Sequence, residues 1–225
     1  MLSKLFYRDL VDPQHQTNVH MHYQVPYPAA GSPYFDSSAS KLAFNPKDPA
    51  VHKPITTAQF LNRKFRWMTL GGQYDWTHKV YPEGPPPSFP ADIKQLVESL
   101  FPMKAEAAIV NLYSPGDTLS LHRDVSEDCD QPLTSISLGC DGIFVVGLDE
   151  LNSNGAPRVA ALRLRSGDAV LMSGESRYAW HSVPKVLEGT CPEWMKDWPG
   201  AEYDDWKGWM KGKRINLNVR QMFDS

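Results

Sequence analysis

Cysteine is scarce. The chain has three, Cys129, Cys140 and Cys191, and no CxxC pair. An odd, widely spaced set neither frames a disulfide scaffold nor supplies a structural zinc site. It points instead to a reducing, intracellular compartment. Long hydrophobic runs are missing as well, and no stretch approaches the roughly 20 apolar residues of a membrane-spanning helix. The opening MLSKLFYRDLVDPQ has no apolar segment of the secretory-signal kind. A dominant charge sign is absent too: 23 Lys and Arg face 26 Asp and Glu, a formal net charge of −3. Any nucleic-acid contact must therefore come from a local basic patch. There is no internal repeat and no low-complexity tract.

What is present suits one globular unit. The 225 residues, 41% of them hydrophobic, are enough for a sizeable core. Nineteen prolines and 11% aromatics favour loops and strands. Residues 1–55, punctuated by Pro26, Pro28, Pro33, Pro46 and Pro49, read as an irregular arm. A short helix is expected over 57–62, capped by Thr56 or Thr57. Phe65 to Trp76 reads as two short strands around a Gly71–Gly72 turn. Ile93, Leu96, Val97 and Leu100 mark an amphipathic helix over 92–100. We place a lid and its supporting helix in 56–106 and the core in 107–225.

The pattern changes at 107. Eight short runs follow: AAIVNLY, TLSLH, LTSISLG, GIFVVGL, RVAALRL, DAVLMS, AWHSVPKV and RINLNVRQM. Many alternate with period two, and SPGD, GCDG, NSNG and SGD separate them. Eight such strands predict a mainly β (α+β) fold with a double-stranded β-helix, or jelly-roll, core. Residues 187–213 carry Trp194, Trp198, Trp206 and Trp209 without alternation and read as a partly helical flap inserted before the last strand.

His122 and Asp124 lie two apart in a strand-like run, so both side chains share a face. His181, in another strand, completes two histidines and one carboxylate. That set on one face of a metal leaves open positions, as in non-haem Fe(II) oxygenases. An isolated HxD is more often a surface pair, and it is the strand context and the distal histidine that favour the ligand reading. VHMHY also alternates and offers a weaker second metal position. In RINLNVR, Arg214, Asn216, Asn218 and Arg220 share one face. Two arginines there suit a dicarboxylate, which the guanidinium fork binds in bidentate fashion. The competing reading is the polar face of an edge strand. Asn111 and Tyr113, on the first strand of the set, also share a face.

Taken in order, N-L-Y-S-P-G-D-T-L-S-L-H-R-D, S-I-S-L-G, S-G-D-A-V-L-M-S-G-E-S-R-Y-A-W-H and R-I-N-L-N-V-R-Q resemble the AlkB family of nucleic-acid dioxygenases. The resemblance spans roughly 60–223 and is nearest to the eukaryotic homologue-1 type. It implies Fe(II) held by His122, Asp124 and His181, with 2-oxoglutarate and O₂ as co-substrates. It implies 2-oxoglutarate contacts from Asn111, Tyr113, Arg214, Asn216 and Arg220, with Arg214 on the distal carboxylate and Arg220 at the iron-chelating end. Trp67, Tyr74 and Trp76 match aromatics of a nucleotide-recognition lid, and Arg158 a lid arginine. Gly174 to Arg177 are expected to supply a turn and hydrogen bonds behind the third ligand.

The implied activity is oxidative removal of an N-methyl group from a base in DNA or RNA: N6-methyladenine, or 1-methyladenine in tRNA. The products are formaldehyde, succinate and CO₂. The expected partner is methylated nucleic acid with no membrane, the chain being a monomer in the nucleus, cytoplasm or mitochondrion. Arg63, Lys64, Arg66, Lys207, Lys211 and Lys213 are candidate phosphate contacts or simply a solvated face. One departure concerns specificity: the family's bacterial pattern places a base-contacting acid two positions after the metal aspartate, where this chain has Ser126, followed by Glu127. The alternatives are a 2-oxoglutarate-dependent hydroxylase or demethylase of a protein side chain, a non-catalytic jelly-roll module, and a zinc hydrolase, which would leave RINLNVR unexplained.

Overall fold

The computed structural model describes residues 1–75, 78, 81–82, 84–127, 129–151 and 155–223. Trp76 lies outside them. All eight expected core strands form. In chain order the strands are β1 (Tyr23–Gln24), β2 (Ala43–Pro46), β3 (Ile55–Thr56), β4 (Trp67–Gly71), β5 (Ala107–Tyr113), β6 (Leu119–His122), β7 (Leu133–Gly139), β8 (Gly142–Leu151), β9 (Pro157–Leu164), β10 (Ala169–Met172), β11 (Trp180–Val186) and β12 (Arg214–Arg220). They build a five-stranded sheet, β10-β7-β12-β5-β4, a four-stranded sheet, β6-β11-β8-β9, and a small sheet, β1-β2-β3. From β5 to β12 the chain passes back and forth between the two larger sheets with antiparallel pairing throughout, which is the jelly-roll topology.

Strand β12 is central, not an edge. It pairs along its whole length with both β5 and β7, and every residue of it is buried. The edge-strand reading of RINLNVR therefore fails. Ile215, Leu217 and Val219 face the apolar core, together with Val110, Leu112, Met68 and Leu70. Arg214, Asn216, Asn218 and Arg220 point the other way, into the barrel. A buried polar face of this size is costly without partners and is retained where ligands or polar networks use it.

Three expectations change. Among the described residues, the segment from Phe65 makes one strand in place of the expected hairpin: β4 joins the main sheet beside β5, and Gly71 turns the chain at φ +63°, where an added Cβ would collide with the Glu106 carbonyl. The part of 56–106 carrying Trp67 is thus continuous with the core sheet. In the helix Ala91–Leu100 the buried residues are Ile93 and Val97, while Leu96 and Leu100 are exposed. The arm 1–55 is more ordered than its prolines suggest. It opens with helical turns over Leu2–Lys4 and Leu5–Asp9 and holds β1 to β3.

The Trp-rich insertion is not a flap over the barrel. Its short helices, Glu193–Lys196, Ala201–Trp206 and Trp209–Gly212, dock on the N-terminal arm. Trp198 stacks on Tyr7 with ring centres 5.6 Å apart. Phe6 meets Trp209 at 5.2 Å, and Phe35 meets Trp198 at 5.1 Å. Two segments without periodicity therefore stabilise each other through aromatic contacts.

Candidate metal centre

Strand β6 pairs with β11 so that His122 lies directly opposite His181. Their rings are 4.3 Å apart. Asp124 sits just beyond the end of β6, not within it. Its carboxylate oxygens approach Nε2 of His122 at 4.0 Å and Nε2 of His181 at 3.7 Å. One ligand atom from each of the three lies within 4.8 Å of the others, a set able to hold a metal ion. The backbone fixes the tautomers. His122 Nδ1 donates to the Ser120 carbonyl at 2.8 Å, and His181 Nδ1 donates to the Ala179 carbonyl at 3.1 Å. A carbonyl can only accept, so each Nδ1 carries the proton and each Nε2 presents its lone pair to the centre. Burial pushes the His181 imidazole below its ordinary pKa, which keeps it neutral and ligand-ready.

A buried ionic network holds the carboxylate. Arg220 donates to Asp124 Oδ1 at 2.7 Å and to Glu127 Oε1 at 2.9 Å. Arg177 donates to Glu127 Oε2 at 2.9 Å, to the Asp124 carbonyl at 2.9 Å and to the Gln131 carbonyl at 2.7 Å. Asn218 Nδ2 donates to Asp124 Oδ2 at 3.1 Å. Burial alone would raise the Asp124 pKa, but Arg220, His181 and His122 outweigh it and hold the carboxyl below its usual range. Arg220 thus spends two nitrogens on Asp124 and Glu127. Arg177, in the segment that precedes the third ligand, supplies hydrogen bonds of the expected kind, but they support Asp124 and its neighbours, not His181. Glu127 is turned inward as a bridge between two arginines.

The centre lies in the wall of a cavity of about 400 Å³, a size suited to small molecules. Arg214, Asn216, Asn111 and Arg220 line it, as do Tyr74 and Ser126. Arg214 is 1% exposed. Its Nη2 donates to Ser137 Oγ at 2.9 Å. Its Nε and Nη1, and the Tyr113 hydroxyl, are buried with no hydrogen-bond partner among the described residues. Burial pushes the tyrosine up to about 12 and works against the charge on Arg214. Such donors are expensive unless something accepts from them, and a carboxylate fits. Gly142 makes room for the arginine: an added Cβ would lie 2.6 Å from Arg214 Nε.

The other expected site residues divide. Tyr74 and Ser126 meet at the cavity, their hydroxyls 3.0 Å apart. Trp67 shares the inner sheet face with Asn111, its register partner, and lines an adjoining groove. Arg158 lies on exposed β9 paired with Glu175 at 2.9 Å and is not among the cavity residues. Among the phosphate candidates, Lys213 is 7% exposed and Arg66 pairs with Asp117, so neither is a free surface cation. Two features had escaped the sequence. Gly142 reads as a turn residue, and Ser135 and Ser137 carry the same period-two signal as RINLNVR on the neighbouring strand. Arg123 also lines the cavity, its guanidinium 4.7 Å above the Trp180 ring.

The family model of the 2OG-Fe(II) oxygenase superfamily matches residues 24–220. The chain belongs to this superfamily, in its AlkB branch. It is 51% identical to the N6-methyladenosine RNA demethylase ALKB1 of Pyricularia oryzae, over 99% of this chain and 70% of that one. It is 50% identical to the N6-methyladenosine RNA demethylase ALKBH of Cryphonectria parasitica, over 92% of this chain and all of that one. The tRNA demethylase abh1 of Schizosaccharomyces pombe is 39% identical, over 99% and 74%. The solved structure of OsALKBH1 matches the fold with a TM-score of 0.56, covering 69% of this chain and 77% of that one at 22% identity. This AlkB-type protein is thus a dioxygenase whose requirements are Fe(II), 2-oxoglutarate and O₂. Among the described residues, no helix is long and apolar enough to cross a membrane.

Proposed function

We propose that this AlkB-type dioxygenase oxidatively demethylates N-methylated adenine in RNA, acting inside the cell as a monomer. One observation carries the reading: a single cavity is lined by the His122, Asp124 and His181 set, by Arg214 with its buried donors, and by the Tyr74 and Ser126 pair. Three jobs are thereby laid out within reach of one another. The demethylase names of the fungal relatives supply the substrate class.

In this reading His122, Asp124 and His181 hold the iron. Arg214, with Tyr113 and Asn111, holds the distal carboxylate of 2-oxoglutarate, and Asn216 and Arg220 flank its other end. When bound, iron with 2-oxoglutarate and O₂ supplies the oxidation of a methyl C–H to a hydroxymethyl, which leaves as formaldehyde. The residues orient the reactants: both Nε2 atoms are aimed by backbone carbonyls, the carboxylate is fixed by Arg220 and Asn218, and the surrounding burial excludes water. The base must leave its stack to reach this depth. Tyr74, Trp67 and Trp76 are the aromatic candidates for holding it, with stacking on the order of 1–3 kcal/mol per base.

The test is succinate and formaldehyde release by the Fe(II)-loaded protein with 2-oxoglutarate and O₂, plus RNA or DNA oligonucleotides carrying N6-methyladenine or 1-methyladenine. His181→Ala is the control. Formaldehyde in step with succinate, stimulated by a methylated RNA and lost in the control, supports the reading. Succinate without stimulation by any methylated oligonucleotide overturns it and directs the search to methylated or oxidisable protein side chains.

A further inference from the structure

Resting on the demethylase reading and on Arg214 and Tyr113 as its dicarboxylate site, we propose that the loop 114–118 is a separate door for the co-substrate: 2-oxoglutarate enters and succinate leaves through it while the nucleic acid stays bound at the Tyr74 end.

The pairing register separates two ends of the barrel. Arg214 lies opposite Tyr113, and Arg220 lies opposite Ala107. The six residue steps along β12 from Arg214 to Arg220 span roughly 20 Å. Arg220 holds Asp124, and Ser126, hydrogen-bonded to Tyr74, follows two residues on. The loop 114–118 leaves β5 directly after Tyr113, at the Arg214 end. There it bounds three spaces at once. Thr118 lines the cavity and also two outer grooves, one beside Arg66 and Tyr113, the other beside Pro184 and Lys185. At this same end stand the Arg214 donors and the Tyr113 hydroxyl that lack partners among the described residues.

The loop is held lightly. Pro115, Gly116 and Thr118 are exposed, and an added Cβ on Gly116 would meet nothing within 4 Å. Among the described residues, the hydrogen bonds that tie it to other elements come from two side chains. Arg66 pairs with Asp117, and Lys213 Nζ donates to Ser114 Oγ at 2.7 Å. The first is a solvent-facing ion pair, of the kind that contributes little. Asp117 Oδ2 also accepts from the Ser114 N–H at 2.6 Å, which keeps the loop's own shape but anchors it to nothing else. Strand β6, which carries the far end of the loop, has four residues, lies at the edge of its sheet and meets β11 through an irregular register. A segment with so few ties opens locally far more readily than the sheets around it. The consequence is kinetic. With one entrance at the Tyr74 end, a bound strand would trap succinate until it dissociated. A door at the Arg214 end lets 2-oxoglutarate replace succinate between turnovers on the same strand.

The experiment follows exchange, not turnover. Labelled 2-oxoglutarate is bound with Mn(II) in the absence of O₂ and chased with unlabelled 2-oxoglutarate, with and without saturating RNA carrying N6-methyladenine. The wild type is compared with Asp117→Asn and Thr118→Trp. In the wild type the release rate should stay within about twofold when the RNA is bound, and a larger fall overturns the inference. Asp117→Asn, which weakens the pair with Arg66, should raise the association and dissociation rates together by a few-fold at an unchanged Kd. Thr118→Trp, which fills the passage from an exposed position, should lower both by about tenfold, again at an unchanged Kd. A loop that only supports Tyr113 would change Kd through the dissociation rate alone, and that result overturns the inference. So do rates that stay fixed in both variants. A protein that binds 2-oxoglutarate but none of the methylated RNA fails the demethylase reading instead, and the two variants still decide whether the door exists.

Discussion

Glu127 shows how much one buried charge can be asked to do. Its carboxylate joins two arginines, one touching the metal-facing Asp124 side chain and the other that residue's carbonyl. Asp124 lies outside a strand, so no ladder holds it, and this bridge takes the ladder's place. Glu127→Gln leaves two buried guanidiniums short of an anion. We expect Mn(II) affinity, measured by calorimetric titration, to fall about 10–100-fold, as is usual when a group supporting a ligand is lost. Unchanged affinity in a folded variant would sink the idea.

Lys213 is a different buried charge, 7% exposed, with Nζ donating to Ser114 Oγ at 2.7 Å. Burial, with Arg66 adding to it, lowers its pKa from 10.5 to about 8. Between those values the unfolded chain binds more protons than the folded one, so stability rises with pH across that window. The cost is complete below pH 8. Lys213→Met should therefore be more stable than the wild type by on the order of 2 kcal/mol at pH 7, with the gap narrowing toward pH 10. Urea melts of both proteins at the two pH values check this, and a gap that does not change with pH contradicts it.

Among elements, the insertion and the N-terminal arm stand or fall together. Half-buried Trp198 touches Phe6, Tyr7, Phe35 and Trp209. Trp198→Ala should cost about 3 kcal/mol, the low end for removing a large aromatic side chain. No described cavity residue comes from 187–213, so KM for 2-oxoglutarate should stay put. A large rise in KM would instead tie the insertion to the site. This docking was not legible in the sequence, because aromatic clusters between distant, aperiodic segments leave no local repeat. The eight core strands were legible, since period two is imposed by each strand's own two faces. The supposed Phe65 to Trp76 hairpin was misread for a related reason: Gly71–Gly72 signals a turn, but only tertiary pairing tells which strand β4 joins. At the site, the HxD spacing and the RINLNVR face could be read directly. The Arg177 to Glu127 bridge could not, because it closes across three segments.

At the scale of the molecule, the site is kept at the expense of stability. The barrel interior holds Arg214, whose Nε and Nη1 are buried with no hydrogen-bond partner among the described residues, and the Tyr113 hydroxyl in the same condition. Unmet donors of this kind cost about 1–3 kcal/mol each. A dicarboxylate that accepts from them acts on the folded state alone, so it must stabilise the whole fold by linkage. Mn(II) with 2-oxoglutarate at about 100 times its Kd contributes about 2.7 kcal/mol, or roughly 5–10 °C in Tm for a domain of this size. Arg214→Met should do the opposite of what loss of an important residue suggests. The metal-free variant should melt higher than the metal-free wild type, because a buried charge has been removed, yet 2-oxoglutarate should no longer raise its Tm. Differential scanning fluorimetry with and without each ligand reads both effects. A variant that melts lower but still responds to 2-oxoglutarate would show that Arg214 serves the fold and that the dicarboxylate is held elsewhere.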